Sequence, residues 1–209
     1  MKKIVLFGCG GHSKVIVDII QAASEYSIAA FFDNNPRQAD FFGLPVISDI
    51  QKLKNYTNEN NIAHAVIAVG NNSARKKLQQ EATGLGLKMA TLIHPSALIA
   101  RTATLGAGTV AMPGVIVNAG TTIEDGCILN SGAIVEHDCS IGAFTHIAPG
   151  TVLCGGVSVG AETLIGARSV VIPMIQVGSH VTLGAGSVVI RNIPDAVCAI
   201  GNPARIKNK

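Results

Sequence analysis

The chain has 209 residues, enough for one or two domains with cores of their own, and 48% hydrophobic residues against 4% aromatic ones suit an aliphatic solenoid better than a sandwich or helical bundle. A formal net charge of +3 without a basic run argues against a nucleic-acid-binding surface, and no stretch approaches the eighteen apolar residues of a membrane span. The apolar run after Met1-Lys2-Lys3 is too short for a signal peptide, and five scattered cysteines, an odd number, argue against a disulfide framework; a soluble, cytoplasmic protein with reduced thiols is expected.

In chain order, Ile4 to Phe7 reads as a strand buried in a parallel sheet, and Gly8-Cys9-Gly10-Gly11-His12-Ser13-Lys14 opens a helix through about Ala23. Ile28 to Phe32 is a second strand ending at Asp33-Asn34-Asn35-Pro36. Ser48 caps a short helix through about Asn55, Ala65 to Val69 is a third strand, and Asn72 or Ser73 caps a helix through about Thr83. Lys88 to Ile93 leads out of this region. The pattern predicts a small, incomplete doubly wound α/β domain over residues 1–90.

Its glycine loop lets backbone N–H groups approach an anion at the positive end of a helix. Asp33 stands where a ribose-binding acid would follow the second strand. Ser13 replaces the third glycine of the dinucleotide fingerprint, so part of a nucleotide or nucleotide-sugar is the expected ligand rather than a full dinucleotide. Gly70, Asn71 and Asn72 end the third strand at the same crevice, while Arg75, Lys76 and Lys77 read as a solvated helix face.

From Ile93 the chain changes character. Every sixth residue through Val189 is a large aliphatic except Ala111, and the residue four places further on is mostly small: Ala97, Ala103, Thr109 and so on to Ile193. Strand faces alternate with period two, so a period of six means short straight runs separated by tight corners, the hexapeptide signature of a parallel β-helix with eighteen residues per coil. The seventeen hexads make nearly six coils. Gly108, Gly114, Gly120, Gly126, Gly132, Gly150, Gly156 and Gly186 occupy corners where a Cβ would be penalised. Cys127 and Cys139 take the small inward position and read as packing. Outward Val110, Ile116, Ile128 and Ile134 suggest apolar faces suited to threefold assembly.

Charge is scarce on this prism, which makes Glu136-His137-Asp138 conspicuous: Asp138 takes a corner usually held by Gly and brings a carboxylate to the imidazole. A carboxylate that holds one ring nitrogen raises the basicity of the other, which is general-base equipment. Glu136 is a rival partner. Spacings of nine and thirty-four residues among His137, His146 and His180 lack the close pair of a three-histidine zinc site, so no metal is expected. A non-catalytic solenoid serving as scaffold or nucleotide-sugar sensor would leave the histidine–carboxylate pair unexplained.

Taken together, Gly8-Cys9-Gly10-Gly11-His12, Asp33-Asn34, Gly70-Asn71-Asn72, Glu136-His137-Asp138 and Gly201-Asn202-Pro203-Ala204-Arg205 resemble, end to end, the sugar O-acyltransferase family of sialic acid O-acetyltransferases and bacillosamine- or perosamine-type N-acetyltransferases. The likeness is strongest to the UDP-4-amino-sugar N-acetyltransferase branch. It implies a small Rossmann-like domain followed by a left-handed parallel β-helix over residues 91–209. It also implies a homotrimer with active sites between subunits, acetyl-CoA as donor and a nucleotide-linked, UDP-type amino sugar as acceptor. By the same resemblance His137 is the general base and Asp138 its orienting carboxylate; His146, Gly155, Ala167 and Ala185 touch the donor; Gly10, Gly11, His12 and Asp33 meet the acceptor, and Asn34, Gly70 and Asn71 are expected to meet it from their places at the same crevice. The closest branch usually has Glu at 138 and often Asp at 34. Sialic acid or another glycan hydroxyl is the alternative acceptor.

Overall fold

Ile4, Val5, Leu6 and Phe7 have no accessible surface, as a central parallel strand covered on both faces requires. They form β1 (Lys2–Phe7), followed by α1 (Gly11–Ala23), β2 (Tyr26–Phe32), β3 (Asp40–Phe41), β4 (Leu44–Ile47), α2 (Ile50–Glu59), β5 (His64–Ile67), α3 (Asn72–Gly84) and β6 (Lys88–Met89). The computed structural model describes residues 1–207 and divides into two compact units, Met1–Leu92 and Ile93–Lys209. The last two residues of the predicted 91–209 domain lie outside the described residues.

The first unit holds one sheet in the order β3-β4-β2-β1-β5-β6, parallel apart from the β3/β4 hairpin. Chain order reverses between β2 and β5 on either side of β1, so a crevice opens at the C-terminal ends of these strands. Two predicted caps are corrected. Asp49, not Ser48, caps α2, its carboxylate accepting from Lys52 N at 2.7 Å. Asn71, with extended backbone, caps α3 and accepts from Ala74 N at 2.9 Å. The β3/β4 hairpin was not expected. Its two-residue turn puts Phe42 and Gly43 at φ 55° and 72°, and an aromatic residue there is far from the usual Asn-Gly signal.

The second unit is a left-handed parallel β-helix of two-residue strands. Residues pair eighteen apart, as in Ile116↔Ile134↔Val152 and Ser140↔Ser158. From Val117 to Val189 each inward aliphatic is at most 3% exposed, and each is stabilised by burial of ~1.5–3 kcal/mol. Ile93, in the first coil, is 40% exposed. The buried threonines of the small inward series satisfy their hydroxyls on the next coil: Thr121 Oγ1 donates to Glu136 O at 2.7 Å and accepts from Cys139 N at 3.1 Å. All eight predicted corner glycines have φ between 64° and 74°.

The three faces differ. One carries outward Leu98, Ile116, Ile134, Val152, Val170 and Val188, and is apolar; a second carries Thr104, Thr122, Ser140, Ser158 and Gln176. The third is mixed and includes His146. Val110 and Ile128, expected to be outward with Ile116 and Ile134, belong to the mixed face and are 1% and 0% exposed. The eighteen-residue register separates these pairs: 110 stacks on 128, and 116 on 134.

Candidate functional site

On the β-helix, Ile134–Val135 ends an apolar-face strand and Ser140–Ile141 begins the next face, so Glu136, His137 and Asp138 form the corner between them. Asp138 takes the left-handed conformation at φ 59°, which short polar Asp tolerates better than most side chains. Its Oδ2 lies 2.9 Å from His137 Nδ1. A carboxylate accepts, so Nδ1–H donates and Nε2 is left for another partner. The second Asp138 oxygen lies over Gly120, where a Cβ would be 2.5 Å away.

Glu136, the rival carboxylate, is engaged elsewhere: its Oε2 accepts from Asn118 Nδ2 at 2.9 Å. With side chains 62% and 74% exposed, the His137–Asp138 pair contributes little to stability and remains open to a ligand. If, as the resemblance implies, His137 is the general base, Asp138→Asn is expected to lower turnover through misorientation of the ring, by less than the roughly 10²- to 10⁴-fold that general-base catalysis supplies, and Glu136→Gln by less still. Steady-state rates of the two variants check this, and a larger loss from Glu136→Gln would transfer the orienting role to Glu136.

Gly155 stands one coil above His137, and a Cβ there would lie 2.6 Å from both Cε1 and Nε2 of the imidazole. The bare backbone of Gly155 thus seats the ring. His137, Asp138, Gly155, Gly156, Pro173 and Met174 line an open depression of about 450 Å³. Cys139, the nearest thiol in sequence, is 2% exposed and burial pushes its pKa up, so it stays a protonated core residue.

The donor residues implied by resemblance divide between two edges within one chain. His137 and Gly155 lie where the apolar face meets the hydroxyl face; Ala167 and Ala185 lie at the opposite edge of the apolar face, where it meets the mixed one. His146 projects from the mixed face. Ser131 N donates to Asn130 Oδ1, which fixes that amide, and Asn130 Nδ2 then donates to His146 Nε2 at 3.0 Å. His146 Nε2 is the acceptor of this bond. Asn118, Asn130 and Met174 were not singled out from sequence; Asn118 was detectable as the residue eighteen before Glu136.

In the α/β unit, Gly10, Gly11 and His12 begin α1 after β1, Asp33 and Asn34 follow β2, and Gly70 and Asn71 lead into α3 after β5. All seven therefore lie at the same end of the sheet. Gly10 caps α1 with no side-chain hydrogen bond, and neither Gly10 nor Gly11 would meet any atom if it carried a Cβ. The α1 end is thus open to an anion. Gly8 does need its missing Cβ: φ is 117° and Ala68 O would lie 3.0 Å from it. Ser13, in place of the third glycine, is fully buried and donates to Gly8 O at 2.8 Å, bracing the loop. Asp33 accepts from Cys9 N on Oδ2 and from Asn35 N on Oδ1, both at 3.0 Å, so it ties the glycine loop to the end of β2. Asn34 borders a small cavity of about 110 Å³ with Gly8, Phe32, Asp33, Val69 and Leu78.

Arg75 corrects the expectation of a solvated helix face. It is 1% exposed, on the buried stripe of α3 with Gln79 and Ala82. Its guanidinium donates to Val69 O, Gly70 O and Asn72 Oδ1 at 3.2, 3.0 and 2.8 Å. Burial, and then the Arg75 charge, lower the His12 pKa from 6.5 to about 4. The unfolded chain therefore binds more protons than the folded one between these values, and stability falls as pH drops from 6.5 towards about 4. Denaturant midpoints at pH 7 and pH 5 should show a larger acid loss for wild type than for His12→Gln; equal losses would remove His12 as the cause.

Comparison with known proteins agrees with this layout. Residues 3–82 match the PglD N-terminal domain family, and residues 120–155 match the bacterial transferase hexapeptide family. The chain is 41% identical over 121 residues to UDP-N-acetylbacillosamine N-acetyltransferase of Bacillus subtilis (strain 168), an alignment covering 54% of this chain and 52% of that protein. It thus spans about half the length of this curated relative. Among solved structures, PerB from Caulobacter crescentus in complex with CoA and GDP-perosamine is 39% identical, covers 100% of this chain and 98% of its own, and has a TM-score of 0.93. The acetyltransferase domain of PglB from Neisseria gonorrhoeae FA1090 in complex with acetyl coenzyme A is 38% identical, with 99% of each chain covered and a TM-score of 0.91. With such likeness over its whole length, the chain belongs to the bacillosamine- and perosamine-type family of hexapeptide-repeat nucleotide-sugar acetyltransferases.

Proposed function

We propose that the protein transfers acetyl from acetyl-CoA to the amine of a UDP-linked 4-amino-4-deoxy sugar by direct attack, with His137 as general base. The observation that carries this reading is the His137 imidazole, its Nδ1 held by Asp138 and its ring seated on Gly155 in an open depression. The amine attacks the thioester carbonyl, its proton passes to His137 Nε2, and the CoA thiolate leaves. The backbone N–H of Gly155, beside the ring, is a donor for the developing oxyanion. A buried, protonated Cys139 supports direct attack over a cysteine acyl-enzyme. The glycine-lined corner leaves space for a pantetheine arm, and the open α1 end suits the acceptor's phosphates.

A threefold assembly on the apolar face would set the His137 edge of one copy against the Ala167 and Ala185 edge of the next, reuniting the donor residues. Sedimentation at micromolar concentration should give a trimer, and a stable monomer would remove the between-subunit site. Dependence on acetyl-CoA fits a cytoplasmic setting.

UDP is favoured by the bacillosamine relative, while PerB is solved with GDP-perosamine. The deciding experiment offers acetyl-CoA with UDP-, GDP-, dTDP- and CMP-linked amino sugars and reads acetylation by mass spectrometry. Preference for the UDP-linked 4-amino sugar is expected. Preference for another nucleotide would overturn the assignment of uridine, and acetyl found on a hydroxyl instead of the amine of these sugars would overturn the amine as acceptor.

A further inference from the structure

We infer that Met174 sets which acyl group is accepted at the His137 corner, an inference that rests on the reading of this corner as the acyl-transfer site. Residues at this edge stack eighteen apart, so Met174 lies two coils above Asp138 with Gly156 between them. His137 and Met174 fold onto neighbouring glycines. The imidazole lies on Gly155, and the Met174 sulfur occupies the space a Cβ on Gly156 would need.

Met174 is 76% exposed, yet its thioether sulfur folds down the corner over Gly156, one coil below and next to the glycine that carries the imidazole. It holds a left-handed backbone at φ 63°, a conformation unfavourable for a non-glycine residue. The depression is lined by imidazole, carboxylate and glycine backbone, with Pro173 and Met174 as its apolar side chains. An acyl methyl beside a carbonyl in reach of His137 Nε2 has these two to rest against. Pro173 is rigid, whereas Met174 is an unbranched side chain whose length determines how far an acyl chain extends.

The test uses the full-length protein, wild type, Met174→Ala and Met174→Leu, with acetyl-, propionyl- and butyryl-CoA. Equilibrium binding of each thioester is measured without acceptor, and transfer is measured with an amino-sugar acceptor. Truncation to Ala should improve propionyl- and butyryl-CoA relative to acetyl-CoA by about tenfold or more, the discrimination one methylene supports in such a pocket. Leu, similar in volume, should keep the wild-type order. Unchanged ratios in the Ala variant would overturn the role of Met174. Thioester binding without transfer to any amino sugar would overturn the proposed acceptor while the binding ratios still decide Met174; no binding of any thioester would overturn both.

Discussion

His137→Ala should lower kcat by roughly 10²- to 10⁴-fold while leaving the affinities for acetyl-CoA and nucleotide sugar nearly unchanged. The imidazole is exposed, its Nδ1 is paired with Asp138, and the residue lines an open depression. On the proposed mechanism, removing it deletes the proton acceptor of the transition state but takes away no buried contact, so the fold and both ground-state complexes should persist. Steady-state kinetics with calorimetric titration of each substrate separate the two effects. Near-wild-type turnover would remove His137 as the base, and equal losses in affinity and rate would make it a binding residue.

Gly155→Ala should act on the same step from the opposite side. Its backbone has no positive φ, so Gly is required there for space and not for conformation. A methyl would lie 2.6 Å from Cε1 and Nε2 and push the ring off its seat, turning Nε2 away from the donor. Misplacement of a catalytic group by about 1 Å costs about 10²-fold, and a fall in kcat of that order is expected. Gly84→Ala, at the end of α3 where a Cβ meets nothing and φ is not positive, is the comparison for a glycine substitution in open space. Unchanged kcat in Gly155→Ala would show that the ring does not depend on this seat.

The β-helix was legible because its period arises from one repeated physical demand, an aliphatic to the core every sixth residue and a turn that favours glycine between. The same regularity exposed Asp138 as a non-glycine corner beside a histidine. The face assignment was less accessible: Val110 and Ile128 look like Ile116 and Ile134 in a six-residue frame, and only the eighteen-residue register separates them. Arg75 escaped because a charged triplet usually stays in water, whereas here backbone carbonyls at the start of α3 receive its donors. The β3/β4 hairpin escaped because its turn residues break the usual preference. The seat at Gly155 and the wall at Met174 depend on which way side chains fold across a corner, which spacing alone does not reveal.

The most direct measurement supplies acetyl-CoA labelled with ¹³C at the carbonyl together with a UDP-linked 4-amino sugar, and examines the product by NMR. Wild type should yield a labelled carbonyl coupled to a new amide proton on the sugar, and His137→Ala should yield almost none in the same interval. A labelled ester on a sugar hydroxyl, label retained on the protein, or equal amide formation by His137→Ala would contradict base-assisted direct transfer to the amine.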